Sequence, residues 1–248
     1  MVNQNRILAI LALFVISFFS FSYGVLSTRY QLFPFQQHVF IKKPITVKTL
    51  NPDDNLTEYA YWKDKTTLFL ALHSTAKYVM IGDSITDAAE WHELFPETSI
   101  LNRGISGDTT YGVIKRLDSI INTKPDNAFI MLGINDIMNN RTIEKIVKDY
   151  IQILTTLQSN KIIPIIQSTL YVSGSFPSSR EINDAVKKLN AELTEYANKS
   201  NIVFVNLNDT LSKNETLKSE FTNDSLHLNG DGYQMWKSKI SKYINTLS

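Results

Sequence analysis

Short apolar runs alternate with longer amphipathic stretches from about residue 77 to the end of the chain. The short runs are rich in Ile and Val, as buried strands tend to be, and they lie at 77–82, 99–103, 127–133, 161–169 and 201–207. The longer stretches carry apolar residues at helical spacing, and they lie at 142–160, 179–200 and 230–247. This alternation predicts βα units, which form a parallel sheet with helices on both faces.

The N-terminal part of the chain has a different pattern, a single long apolar run. No residue from Ile7 to Leu26 is charged, and Arg6 stands before the run. As a helix the run would be roughly 30 Å long, which matches the hydrocarbon core of a bilayer. A positive residue ahead of such a run is typical of a signal peptide or a signal anchor. A buried core helix is disfavoured, because a helix without a polar face has nothing to present to water.

The length of this run favours an uncleaved anchor over a cleaved signal peptide, although Ser22 and Gly24 could serve a cleavage site. We therefore predict an anchor or signal segment over residues 1–27, which places the rest of the chain outside the cytoplasm. A stalk interrupted by prolines follows over 28–60, and a folded domain covers 61–248. The segment 58–73 predicts a short amphipathic helix. Its candidate apolar contacts are Tyr61, Trp62, Leu68 and Leu70.

Composition excludes several classes of function. The chain is 43% hydrophobic and 20% charged, which fits an ordinary folded protein. Its formal net charge of +1 gives no electrostatic support for binding nucleic acid. The chain contains no cysteine, which removes disulfides, thiolate catalysis and cysteine-based metal sites together.

Polar residues that could carry chemistry follow the first predicted strand at Gly82-Asp83-Ser84. A serine at a turn from strand to helix is exposed, and the N-terminus of the helix favours developing negative charge there. The alternative is that Ser84 only caps the helix, as serine often does. Alone, this motif favours the capping interpretation.

The next two strand ends carry groups that could donate hydrogen bonds to an oxyanion. The backbone N–H of Gly104 and the side-chain amide of Asn135 are the two candidates. In the loop before the last helix, Asp224 precedes His227 by three residues, so its carboxylate could reach one ring nitrogen and fix the tautomer. Turns and an exposed loop pair are the simpler interpretations of each motif taken alone.

Taken together and in order, the motifs resemble the four blocks of the SGNH (GDSL-like) hydrolase superfamily. The stretch from Gly82 to Thr110 is similar to its platelet-activating-factor-acetylhydrolase-like branch. This resemblance, which covers about residues 60–248, implies a flavodoxin-like three-layer α/β sandwich with a five-stranded parallel sheet. It implies a catalytic triad of Ser84, Asp224 and His227, and an oxyanion hole formed by the N–H groups of Ser84 and Gly104 with the Asn135 amide. Asp83 and Asp136 would then be structural.

The resemblance also implies an activity, the hydrolysis of small acyl esters through an acyl-serine intermediate without a metal or cofactor. Acetyl esters on glycans, or lipid esters beside a membrane, are the expected partners. Three alternatives stay open: an O-acetyltransferase with the same triad, a glycan-binding protein with an inactive site, and a thioesterase or lysophospholipase. The Gly-x-Ser-x-Gly elbow of the α/β-hydrolase fold is absent around Ser84, which argues against that other class.

One further motif bears on the host. Asn223, Asp224 and Ser225 form an N-glycosylation sequon inside the proposed triad loop. A glycan on Asn223 would sit against the proposed acid, so the motif favours an organism that does not glycosylate exported proteins, such as a bacterium. An unused sequon is equally compatible with the sequence.

Overall fold

The computed structural model describes residues 59–72 and 74–246, together with Ser20. Apart from Ser20, the predicted anchor over 1–27 lies outside these residues, as does almost all of the predicted stalk over 28–60, and both stay predictions. Within the described part of the chain, no helix is long and apolar enough to cross a membrane.

Five parallel strands form the central sheet in the order β2-β1-β3-β4-β5. Their bounds are β1 (Tyr78–Gly82), β2 (Ile100–Gly104), β3 (Asn127–Met131), β4 (Ile163–Gln167) and β5 (Val203–Val205). This is the flavodoxin-like strand order, so the predicted α/β fold with a five-stranded parallel sheet is confirmed. Each predicted run overlaps one strand. Most runs are longer than their strand because their ends enter loops, as at Lys161, whose φ of 63° is outside the extended region.

Ten helices surround the sheet in the described residues. They are α1 (Ala60–Ala71), α2 (Ser84–Asp87), α3 (Trp91–Leu94), α4 (Thr110–Lys115), α5 (Asp118–Ile121), α6 (Ile134–Met138), α7 (Ile143–Ser159), α8 (Ser179–Ser200), α9 (Asn208–Leu211) and α10 (Gly230–Thr246). After α9, a small hairpin of β6 (Ser212–Lys213) and β7 (Thr216–Leu217) and one 3₁₀ turn (Ser219–Phe221) lead to the loop before α10.

Alternate residues of each strand supply two separate apolar cores, because successive side chains of a strand point to opposite faces. Val79 and Ile81 of β1 belong to one core, which α4, α5, α7 and α8 cover. Met80 of β1 belongs to the other core, which α3 and α10 cover. The edge-to-face pair of Trp91 and Trp236, with ring centroids 4.9 Å apart, joins these last two helices. Of the three long predicted helices, α7 and α8 thus cover one face of the sheet and α10 covers the other.

The predicted helix in segment 58–73 is present as α1, but its predicted apolar contacts were partly wrong. Trp62 and Phe69 are the buried residues of α1, whereas Tyr61, Leu68 and Leu70 are 38%, 51% and 46% exposed. Residues seven apart lie on one line along a helix, so Trp62 and Phe69 share a narrow contact line and the other apolar residues flank it. That line packs against the buried Ile105.

Candidate active site

Ser84 is the first residue of α2, directly after β1. The side chain of Asp83 caps this helix, since its Oδ1 accepts the Ile85 N–H at 3.0 Å. The Ser84 N–H, at the first helical position, has no intrahelical acceptor. Only glycine fits at position 82, because a Cβ there would lie 2.8 Å from the Met131 carbonyl oxygen of the neighbouring strand. The tight turn therefore presents both the hydroxyl and the amide of Ser84.

The loop before α10 brings His227 and Asp224 to Ser84. His227 Nε2 lies 2.9 Å from Ser84 Oγ, although 143 residues separate the two in the sequence. His227 Nδ1 lies 2.6 Å from Asp224 Oδ2. A single antiparallel bridge between Thr222 and Leu228 closes the loop at its base. The structure thus assembles the three residues of the predicted triad in a continuous hydrogen-bonded chain.

Asp224 is held as an anion by its own loop. Partial burial raises its pKa, but hydrogen bonds from the His227 ring and from the backbone N–H groups of Leu226 and His227 outweigh burial and lower the pKa to about 2. An ionised carboxylate only accepts hydrogen bonds, so Nδ1 of His227 must carry a proton. In the neutral ring this leaves Nε2 as the acceptor that faces the Ser84 hydroxyl.

The structure does not place the predicted donor Gly104 in the site. Its backbone N–H donates to the side-chain oxygen of Asn102 at 2.8 Å, so this proton already has an acceptor. The reason for a glycine at position 104 is a close approach of β2 to α2, because a Cβ there would lie 2.3 Å from the Asp87 nitrogen. Gly104 is therefore a packing residue, and the prediction of an oxyanion donor at this position is corrected.

Gly107, three residues after Gly104, is a second candidate donor. The Asp108 N–H donates to the Ile105 carbonyl at 3.0 Å and closes a turn in which Gly107 has a φ of +80°. Glycine is the residue that adopts this conformation without strain. Among the described residues the Gly107 N–H meets no acceptor. The sequence pattern contained this second glycine but gave no means of ranking it against Gly104.

Asn135 lies beside this turn, at the start of α6. One hydrogen of its side-chain amide donates to the Asp108 carbonyl oxygen at 2.9 Å, which fixes the plane of the amide. Among the described residues, the other hydrogen has no hydrogen-bond acceptor. The N–H groups of Ser84 and Gly107 and the Asn135 amide are therefore the candidate donors to an oxyanion.

Three carboxyl groups lie buried beneath the site. Asp108 pairs with the buried Arg116, whose Nε lies 2.6 Å from Asp108 Oδ2. Asp136 pairs with Arg141, whose Nη1 lies 2.5 Å from Asp136 Oδ1. No ion pair of Asp83 is found in the part of the chain that the structure describes; burial and the nearby Asp108 and Asp136 raise its pKa to about 7, while the Ile85 N–H opposes the shift. These groups support the loops, and none of them contacts the Ser84 hydroxyl.

The fold and the site define a hydrolase class, and comparison with known families agrees. Residues 80–235 match the model of the GDSL-like lipase/acylhydrolase family, and the chain belongs to this family. A solved GDSL-like lipase from Bacteroides thetaiotaomicron VPI-5482 is 28% identical, superposes with a TM-score of 0.66, and covers 75% of this chain and 98% of its own.

Two proteins of known name are similar in sequence. Platelet-activating factor acetylhydrolase IB subunit alpha2 from Homo sapiens is 29% identical over 184 residues, which are 68% of this chain and 74% of that protein. An N-acylneuraminate cytidylyltransferase from Streptococcus agalactiae serotype V is 24% identical over 174 residues, 68% of this chain and 39% of that protein. The chain therefore spans well under half the length of that second relative.

The raised pKa of Asp83 predicts how stability depends on pH. From about pH 4 to pH 7 the folded chain retains a proton that the unfolded chain has released, so this group lowers stability as the pH rises through that range. Asp83→Asn keeps an oxygen for the Ile85 N–H but does not titrate. We expect the difference between the Tm of Asp83→Asn and the Tm of the parent chain, measured by calorimetry, to increase from pH 4 to pH 8. The gain should reach several degrees, since about 1 kcal/mol moves Tm by about 2–4 °C at this size.

The matched control is Asp184→Asn, which changes an exposed carboxylate on α8. Its Tm is expected to follow that of the parent chain at every pH. A constant Tm difference between Asp83→Asn and the parent across this range would show that Asp83 is ionised at all these values.

Proposed function

We propose that this chain is a serine esterase that removes small acyl groups, acetyl in the first instance, from esters. The observation that carries the proposal is the hydrogen-bonded chain from Ser84 through His227 to Asp224, with distances of 2.9 and 2.6 Å. A serine, a base and a carboxylate that orients the base are the parts that acyl transfer through a covalent intermediate requires. The family assignment supports the same reaction class.

In the first step, Ser84 Oγ attacks the ester carbonyl carbon while its proton moves to Nε2 of His227. The tetrahedral intermediate collapses when the carbon–oxygen bond to the alcohol breaks, and His227 returns the proton to the departing alkoxide. Water then attacks the acyl-serine with His227 as base, and the acid leaves. Asp224 stays ionised throughout, because its pKa of about 2 keeps it an anion at neutral pH.

The negative charge on the attacked oxygen needs fixed donors. We assign the Ser84 N–H, the Gly107 N–H and the Asn135 amide to this role, with Gly107 in place of Gly104. Donors that are already aimed need no rearrangement when charge develops, which is why such groups contribute much of the rate. The hydrogen bond from Asn135 to the Asp108 carbonyl supplies that fixed aim.

The proposed substrates are acetyl esters of glycans or lipids. The human relative is by its name an acetylhydrolase, and the streptococcal relative is by its name a transferase for an acylated sugar. The apolar run from Ile7 to Leu26 supports a location outside the cytoplasm at a membrane surface, where esters of envelope glycans and of lipids are both within reach. The partner we propose is therefore a small acyl ester, with the membrane bound through the N-terminal segment.

The proposal is tested by turnover of p-nitrophenyl acetate by the purified chain. We expect the parent chain to release nitrophenol and Ser84→Ala to lose the activity, since no other nucleophile is bonded to His227 Nε2. Ser159→Ala, which changes an exposed serine at the end of α7, serves as the matched control and should retain activity. Equal rates for parent and Ser84→Ala would refute the proposed nucleophile.

The donor set makes a second prediction. Asn135→Ala should fold normally and lose about 10²- to 10³-fold in kcat, the usual effect of removing one oxyanion donor. The comparison is Asn139→Ala, which changes an exposed asparagine just after α6. That variant should keep its kcat within about twofold. Steady-state kinetics with p-nitrophenyl acetate measure both, and a normal kcat for Asn135→Ala would exclude its amide from the oxyanion hole.

A further inference from the structure

Helix α1 precedes residues 80–235, which match the family, yet it contacts the loop that carries Gly107. We call residues 105–109 the glycine loop. We propose that Tyr61 and Trp62 of α1 are positioning residues that fix the glycine loop, and thereby the Gly107 N–H and the Asn135 amide, for oxyanion stabilisation. The inference rests on the esterase function proposed above and adds to it a segment that the family model does not cover.

Trp62 holds the residue that follows Gly107. Its indole Nε1–H donates to Asp108 Oδ1 at 3.0 Å, and both side chains are buried. The same oxygen accepts the Thr109 N–H at 3.0 Å, and the other carboxylate oxygen accepts Arg116 Nε at 2.6 Å. Asp108 is therefore fixed from three directions, and α1 supplies one of them.

Tyr61 holds the residue that precedes Gly107, through one intermediate side chain. Its hydroxyl donates to Asp87 Oδ2 at 2.6 Å, and the same oxygen accepts the Ser106 N–H at 3.2 Å. Burial and the Asp87 carboxylate raise the pKa of Tyr61 to about 12, so the hydroxyl keeps its proton and remains a donor. Lys65, one turn further along α1, pairs with Asp87 Oδ1 at 2.8 Å. Both neighbours of Gly107 are thus held by contacts that originate on α1.

The same contacts reach the third donor. The Asp108 backbone carbonyl accepts the Asn135 amide at 2.9 Å, so a shift of Asp108 would turn the amide that faces the oxyanion. A displacement near 1 Å in such a site can reduce the rate about 10²-fold. The side-chain hydrogen bonds of Trp62 and Tyr61 go to Asp108 and Asp87 and not to Ser84 or His227, so the triad itself should not change when they are altered.

Helix α1 depends on this docking for its own order. It spans Ala60–Ala71, has no side-chain cap at its start, and is shorter than the length at which isolated helices become stable in water. Its second buried side chain, Phe69, stacks on the Arg103 guanidinium, 4.5 Å from the ring centroid. Phe69, like Trp62, packs with Ile105 of the glycine loop, but it makes no hydrogen bond to that loop. Loss of packing and loss of hydrogen bonds can therefore be tested separately.

The test uses the full chain with Trp62→Phe, which keeps an aromatic ring in place and removes the N–H to Asp108. We expect kcat with p-nitrophenyl acetate to fall about 10- to 100-fold, with KM within about twofold and an unchanged midpoint in the pH profile of kcat/KM. In the Asn135→Ala background the same substitution should have a smaller effect, because one donor that it misplaces is already absent. Losses that multiply fully would assign Trp62 a structural role only.

Two further variants test whether the lost hydrogen bonds, and not a loss of folding or packing, cause the fall in kcat. Tyr61→Phe removes only a half-exposed hydroxyl, so it should fold even if Trp62→Phe does not, and it should lower kcat in the same manner. Phe69→Leu is the matched control, since it weakens the packing of α1 without removing a hydrogen bond to the glycine loop. It should lower Tm and leave kcat within about twofold. Equal losses of kcat in Trp62→Phe and Phe69→Leu would overturn the proposal.

Hydrogen–deuterium exchange separates this inference from the proposed function. Amides of residues 105–109 should exchange faster in Trp62→Phe and Tyr61→Phe than in the parent chain and in Phe69→Leu. A parent chain that is inert on every ester would refute the esterase function, and exchange alone would then decide whether α1 fixes the loop. Unchanged exchange at residues 105–109 in both variants would refute the role of α1, whatever the activity of the parent chain.

Discussion

The whole site depends on the register of three neighbouring parallel strands. Gly82 at the end of β1 pairs with Gly104 on β2 and with Met131 on β3, so the chain leaves the sheet at the same level three times. Ser84, the glycine loop and the helix that carries Asn135 follow those three exits. Arg116 connects two of them, because its Nη2 donates to the Gly82 carbonyl at the end of β1 at 3.4 Å and its Nε binds Asp108 in the glycine loop after β2 at 2.6 Å. Removing one partner of such a buried pair typically costs 3–5 kcal/mol, so this geometry is firmly specified.

The proposed oxyanion donors and the Asp224–His227 pair are held in place by different parts of the structure. The proposed donors to an oxyanion lie at the starts of α2 and α6 and in the glycine loop, and the sheet, the buried ion pairs and α1 hold these segments in place. The acid–base pair instead lies on a separate loop before α10, where short local hydrogen bonds around Asp224 fix it. The proposed acid–base pair of Asp224 and His227 thus lies on a locally ordered loop, whereas the proposed oxyanion donors are fixed by contacts with the core.

Much of this was predictable from the sequence, for definite physical reasons. Strands of the sheet are buried on both faces and therefore read as continuous Ile- and Val-rich runs, and α7, α8 and α10 are long enough to show a helical period. The short helices α3 to α6 were not predicted individually, because four to six residues carry no measurable period, and of α2 only the start at Ser84 was predicted. Gly104 is not a candidate donor because the Asn102 side chain accepts its N–H. The residues that α1 buries likewise depend on the surface that the helix meets. Both are tertiary contacts, which a local sequence pattern does not predict.

The proposed mechanism requires a covalent acyl-serine intermediate on Ser84. Rapid-quench mass spectrometry during turnover of p-nitrophenyl acetate detects such an intermediate. If Ser84 is the nucleophile, one acetyl group should appear on the peptide that contains Ser84 and should be lost again as the substrate is consumed. Turnover without an acetyl group on that peptide, or with the group on another residue, would contradict it.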